Sequence, residues 1–162
     1  MQANEDLLNP SLDQGPIQLY SSRAGFIVAF FGGVVASVVF TLLNSRRLRR
    51  FNKDAWILAV CGLAAIAVRI LLFEIPDGDL SFTELFVELG KQRKADPLIR
   101  YAPRMTALGV WMVGYFMHAR EYRAMKLSQL SPLNPWKTGI IVTLTAGIVE
   151  AVILVGIIYL RV

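Results

Sequence analysis

The chain has 162 residues, of which 55% are hydrophobic and 18% charged, and its formal net charge is +5. A soluble domain is expected to be about 45–50% apolar and about 25% charged, so this composition favours a lipid bilayer as the solvent for much of the chain. It also excludes a disordered chain. The basic residues lie beside long apolar runs, which argues against nucleic acid as a partner.

The N-terminal residues 1–22 are polar and contain Pro10, Gly15 and Pro16, with neither a basic leading segment nor a small-residue cleavage site. We interpret them as a polar tail and not as a signal peptide. Residues 23–162 are predicted to form a single transmembrane domain. A helix of 20 residues covers about 30 Å, which is the thickness of a hydrocarbon core. Four apolar segments predict four transmembrane helices, arranged as two helical hairpins, at about 24–43, 55–73, 104–119 and 138–160.

The first predicted span carries the most distinctive local pattern of the chain. A Tyr-Ser-x-Arg entrance at 20–23 leads into a helix containing Phe-x-Gly-Gly at 30–33, and Asn44 precedes a basic loop. Residues 19–48, about a fifth of the chain, resemble small uncharacterised bacterial inner-membrane proteins. The resemblance implies a bacterial inner-membrane location and no particular activity. We interpret Gly32 and Gly33 as a helix-packing feature, because nothing before them has the pattern of a strand.

The connection between the second and third spans contains a predicted short amphipathic helix at 81–89. Phe82, Leu85, Phe86 and Leu89 fall on one helical face, and Ser81 with Glu84 fits a capping box. Two interpretations stay open, a helix lying in the membrane interface and a loop helix folded over the bundle. We favour the interface, because no soluble core is present to receive the apolar face.

The third predicted span is unusually short. Pro103 suits the first turn of a helix, and the uninterrupted apolar stretch covers only 105–119, or about 22 Å. Arg104 and Arg120 could reach opposite headgroup layers with their long side chains. We therefore expect a short or locally thinned crossing.

A shift of 81 positions aligns parts of the chain with itself. Tyr20 and Arg23 fall on Tyr101 and Arg104, so each half would begin with a Tyr-x-x-Arg helix entrance. Identity elsewhere is low, and apolar segments match easily by chance. If the duplication is real, the two copies run in the same direction and are related by an axis along the membrane normal.

Two charges of opposite sign lie deep in predicted spans. Arg69 is in the second span and Glu150 in the fourth; these spans run parallel, and the two residues fall within about 3 Å of the same depth. An unpaired charge at the centre of a bilayer costs at least about 2.5–3.5 kcal/mol, so the pair suggests mutual neutralisation. Three interpretations are open. The residues form an ion pair that fixes helix register, Glu150 is a proton or ion site tuned by Arg69, or Arg69 extends toward Glu74 while Glu150 is protonated.

The basic residues predict the orientation of the chain. The first and third connections are short and densely basic, which places them in the cytoplasm, with both termini and the 74–104 segment outside. The first connection is a basic patch that reads as a topology signal and as a contact for anionic lipid headgroups. This patch contains Arg46, Arg47, Arg49, Arg50 and Lys53.

The sequence predicts neither a catalytic nor a metal site, and no cofactor. Cys61 and His118 are the only cysteine and histidine, so triad, dyad or zinc chemistry would depend on one ring. We expect His118 to be an interfacial histidine at a helix end. The favoured function is a non-enzymatic structural or accessory membrane component, with a second copy or another membrane protein as partner. The alternative is a small proton-coupled transporter or carrier that uses Glu150 and Arg69. A membrane enzyme using His118 with Glu121, or Glu150 alone, is a third hypothesis.

Overall fold

The computed structural model describes residues 18–72 and 97–159, together with the single positions 87, 91 and 94. The described part is all helical and contains no strand, apart from an isolated bridge between Tyr20 and Leu133. Its helices are α1 (Ser22–Arg47), α2 (Phe51–Leu72), α3 (Pro97–Met117), α4 (Ala119–Leu127) and α5 (Trp136–Tyr159). The amphipathic helix predicted at 81–89 lies outside the described residues, except for Val87.

Among the described residues, three helices are long and apolar enough to cross a membrane by length and composition alone, namely Ser22–Arg47, Phe51–Leu71 and Trp136–Ile157. The length of the first is counted through a break in the helix at Gly33. The fourth long helix, α3, begins at Pro97, seven residues before the predicted start, and Pro103 lies inside it. It ends at Met117 because His118 leaves the helical region, with φ −108° and ψ 12°.

Helix α1 is not a single rod, because it folds back on itself at Gly33. This residue has φ 81° and ψ −164°, a conformation that is essentially restricted to glycine. The two halves, a first arm (22–32) and a second arm (34–47), lie side by side. Tyr20 therefore meets Asn44, whose Oδ1 accepts a hydrogen bond from the Tyr20 N–H at 2.9 Å. A straight helix would separate these two residues by about 36 Å.

This fold corrects two expectations. The first predicted span, 24–43, is a hairpin and not one straight crossing, because Gly33 reverses the chain after about 16 Å of helix. The start of the chain was expected on the opposite side from the first connection. Instead, Tyr20 lies at the same end as Asn44 and Leu133, and the Leu133 N–H donates to the Leu19 carbonyl at 3.1 Å. We call this the basic end, because it carries the 44–50 connection and α4.

The α1 hairpin is the centre of the bundle. It packs mainly against α3 and α5 and less extensively against α2, whereas α2 and α5 barely touch. One apolar cluster joins both arms to α5, and a second joins the second arm to α2 and α3. The first consists of Tyr20, Ala24, Val28, Ala36, Phe40, Val142 and Ala146, and the second of Val34, Ala65, Ala107 and Val110.

Glycines allow this close packing. A Cβ on Gly114 of α3 would lie 2.5 Å from the Thr41 Cγ2 of the second arm, so the Thr41 side chain packs directly against the α3 backbone, where a larger residue would collide with it. The polar residues of the second arm, Ser37, Thr41, Asn44 and Ser45, are all buried in this packing.

The two Tyr-x-x-Arg motifs occupy different environments. Tyr20 is buried just before α1 at the basic end, whereas Tyr101 is half exposed inside α3, toward the opposite end. Arg104 stacks on the ring of Phe30, 5.0 Å from its centroid, near the tip of the hairpin. Because α3 runs toward the basic end while the first arm runs away from it, the predicted second helix entrance is not equivalent to the first.

Candidate functional site

The tip of the α1 hairpin meets two charged side chains from other helices. Arg69 of α2 and Glu150 of α5 form an ion pair through Nη1 and Oε1. The second carboxylate oxygen of Glu150 accepts a hydrogen bond from the backbone N–H of Val35, at 3.0 Å. We call Gly33, Val35, Arg69 and Glu150 the tip site.

The break at Gly33 explains why the Val35 N–H is free to bind the carboxylate. The first N–H groups of a helix have no partner within it, and the N-terminal end carries partial positive charge. The second arm begins immediately after Gly33 and so directs this end at Glu150. The acid is stabilised from two sides, by the guanidinium of Arg69 and by the start of a half-helix.

The tip site has no room for a side chain at position 33. A Cβ on Gly33 would lie 2.5 Å from Oε2 of Glu150 and 2.9 Å from its Cδ. Arg69 and Glu150 are both buried, with 8% and 5% of their surfaces exposed. The site is a closed contact among three helices, in which two charges neutralise each other and a broken helix is held in place.

A second cluster of polar residues closes the open end of the hairpin. Asn44 accepts from the Tyr20 N–H through Oδ1, and its Nδ2 donates to the Tyr20 carbonyl at 3.4 Å and to the Tyr122 hydroxyl at 2.9 Å. One amide thus replaces the backbone partners that the chain lacks just before α1, and it also ties α4 to the hairpin. Asn44 is 1% exposed, so these bonds are shielded from water.

The single histidine lies in a third cluster of polar residues, also at the basic end. The Nε2 of His118 is 3.2 Å from Oδ2 of Asp54 and 3.1 Å from Oγ of Ser45. Ser45 Oγ also donates to the Thr41 carbonyl, at 3.2 Å, and the roles of the two groups that face Nε2 depend on the imidazole tautomer. All three residues are at most 1% exposed. The group therefore connects the second arm, α2 and the α3–α4 junction, and it has no open face for a substrate.

The residues of the basic patch differ in their exposure and in their partners. Arg46, Arg49 and Lys53 are exposed, whereas Arg50 forms an ion pair with Glu121 of α4 at 2.9 Å. Arg47 stacks on the ring of Tyr20, 5.1 Å from its centroid. The first and third connections, predicted to lie on one side, are thus in direct contact.

Two tyrosines at the basic end have displaced pKa values. The hydrogen bond between Tyr20 and Thr138, at 3.1 Å, and the nearby Arg47 guanidinium lower the pKa of Tyr20 against the opposing effect of burial. Burial raises the pKa of Tyr122, although its hydrogen bond from Asn44 acts in the opposite direction. The first phenol is therefore easier to ionise than an ordinary tyrosine, and the second harder.

Sequence reasoning singled out Arg69, Glu150 and His118 but missed the residues that complete their surroundings. Gly33 was interpreted as a packing glycine, and Asp54, Ser45 and Asn44 were given no role. The available signal was positional. Asn44 and Ser45 end an apolar run, and Asp54 lies in the first turn of α2, where a buried polar residue requires partners.

No protein-family model, curated protein or solved structure matches this chain.

Proposed function

We propose that this chain is a non-enzymatic integral membrane protein that serves as a structural or accessory component of the bacterial inner membrane or of a complex within it. The bacterial location rests on the resemblance over residues 19–48. The architecture we propose has three crossing helices, α2, α3 and α5, around a re-entrant hairpin formed by α1. Its arms, about 16 and 21 Å long, are each shorter than a hydrocarbon core of about 30 Å.

The observation that best supports the proposal is that the two charges of the tip site have their partners within the protein. Arg69 and Glu150 neutralise each other, and the free carboxylate oxygen is used by the backbone of the hairpin. Removing one member of a buried ion pair costs about 3–5 kcal/mol, because the other charge is left uncompensated. In our proposal, the Arg69–Glu150 pair fixes the position of the re-entrant α1 hairpin between the crossing helices α2 and α5.

Unfolding of purified variants tests this role. E150Q and R69L should each destabilise the protein, and the double variant should lose less than the sum of the two, because no unpaired charge remains. E121Q is the matched control, since Arg50–Glu121 is an ion pair of the same type with 41% and 25% of its side chains exposed. Additive effects of the two single changes would contradict a structural pair.

The accessory role is tested by the native mass of the protein in mild detergent. We expect a defined assembly larger than one 18.1 kDa chain, formed with further copies or with another membrane protein. A uniform single-chain mass across several mild detergents would contradict a role within a complex.

The proposed orientation places the basic end in the cytoplasm, because densely basic short connections are retained there. In a C61A background, V87C should react with a membrane-impermeant maleimide in intact spheroplasts, and N52C only after permeabilisation. Because the hairpin returns the chain to its starting side, Q2C should behave like N52C. Labelling of Q2C together with V87C would show that α1 crosses the membrane.

A second candidate is a small proton-coupled carrier, and the broken helix is the observation that favours it. Interrupted helices with half-helix ends at mid-membrane form the ion and substrate sites of many transporters. In liposomes with an entrapped pH-sensitive dye, a carrier would dissipate an imposed proton gradient, and E150Q but not E121Q would abolish the flux. Such a result would replace the structural interpretation of the tip site, and absence of flux in the wild type would eliminate the carrier.

A further inference from the structure

An apolar groove runs along the outside of the bundle, between the first arm of α1 and α5. It has a volume of about 340 Å³ and an almost entirely apolar lining. One wall contains Ala24, Ile27 and Phe31, and the other contains Trp136, Ile140 and Leu144. Both walls repeat at helical spacing, so the groove extends for about 12 Å from the basic end toward the tip of the hairpin.

Three cationic residues adjoin the residues that line the groove at the basic end. Arg23 immediately precedes Ala24 on one wall, and Lys137 immediately follows Trp136 on the other; both are exposed. Arg47 is held nearby, because it stacks on Tyr20, whose hydroxyl contacts Thr138. Within the described helices α1 and α5, neither first turn contains an acid.

We propose that this groove binds an anionic phospholipid, with one acyl chain between the first arm and α5 and the phosphate among Arg23, Arg47 and Lys137. An apolar slot next to three cationic residues matches the two parts of such a lipid, whereas a zwitterionic lipid would bring its own cation close to the same side chains. A helix from a partner protein is about 10 Å across, so it would cover the groove and not enter it. The site does not depend on whether Glu150 carries protons.

Native mass spectrometry of the detergent-purified full chain tests the site, with dioleoyl phosphatidylglycerol and dioleoyl phosphatidylcholine as probes of identical acyl composition. The wild type should retain one phosphatidylglycerol molecule per chain in preference to phosphatidylcholine. K137Q should weaken phosphatidylglycerol binding about fivefold. K126Q, which removes an exposed lysine of α4 at the same end, should leave binding unchanged.

A second pair of variants tests the acyl slot. Ile140 lines the groove and Ile141 does not, yet they are 54% and 61% exposed on the same helix. I140W should fill the slot and reduce retention of both lipids, whereas I141W should behave as the wild type. Equal retention of the two lipids, or equal effects within either pair of variants, would overturn the proposal. The lysine pair decides the matter if the I140W protein fails to fold.

Discussion

Replacing Gly33 with alanine should destabilise the protein more than a typical single substitution. The change adds one methyl group at the point where the α1 hairpin reverses. Two structural features oppose it. The backbone at φ 81° and ψ −164° disfavours any residue with a Cβ, and the added carbon would lie 2.5 Å from Oε2 of Glu150.

The two features give separable contributions to the free energy of unfolding. Holding a residue other than glycine in this region of φ/ψ space costs about 1–3 kcal/mol. Displacing the carboxylate breaks its hydrogen bond with the Val35 N–H, and a bond to a charged group contributes about 1.5–3 kcal/mol. We therefore expect G33A to lower the free energy of unfolding by about 2.5–6 kcal/mol.

Titration with sodium dodecyl sulfate in mixed micelles, followed by tryptophan fluorescence, measures this change. Trp111 is a suitable reporter, because it packs against Gly25 of the first arm. G147A is the matched control: Gly147 lies one turn from Glu150 on α5, and a Cβ there meets no atom within 4 Å. Alanine in place of a helical glycine should change the stability by no more than about 1 kcal/mol, in the stabilising direction. If G33A unfolds at the same detergent fraction as G147A, then α1 is not broken at Gly33 and our account of the tip site is wrong.

Three further predictions concern the basic end. H118A should lower the free energy of unfolding by about 1–3 kcal/mol, because the buried Asp54 side chain loses a hydrogen-bond partner. E121Q should change it by less than about 1 kcal/mol, because that ion pair is partly exposed. Equal effects in the detergent titration would contradict the assigned burial. In a phenolate absorbance titration, Y20F should remove a group that ionises below the ordinary tyrosine range and Y122F one that ionises above it. Because folding raises the pKa of Tyr122, its contribution to stability is complete below pH 10 and is lost as the pH rises through the folded pKa, so Y122F should show a smaller loss at high pH than the wild type.

The depth of the two buried charges could be predicted from the sequence, because a regular helix converts residue number into distance along the bundle. Arg69 and Glu150 were placed at the same level on this basis, and the structure brings them into contact. The reversal at Gly33 could not be predicted in the same way. Two glycines in an apolar run fit close helix packing equally well, and only the backbone dihedral angles distinguish a packed helix from a broken one.

The cluster of polar residues around His118 could not be predicted from the sequence, for a different reason. Its contacts join positions 64 and 73 residues apart in the chain, and no spacing rule connects residues on three separate helices. Even the expected place of the histidine at a helix end gave no measure of its burial. That burial depends on the hairpin, which brings Ser45 back beside α2 and α3.

The hydrogen bond from Val35 to Glu150 can form only late in the synthesis of the chain. The two residues are 115 positions apart, so the acid that completes the hairpin tip is synthesised long after the hairpin itself. Until α5 is synthesised, neither the start of the second arm nor Arg69 can make its contact with Glu150. A chain that stops before α5 lacks the acid that contacts both groups, so we expect such a fragment to be less stable than the full chain.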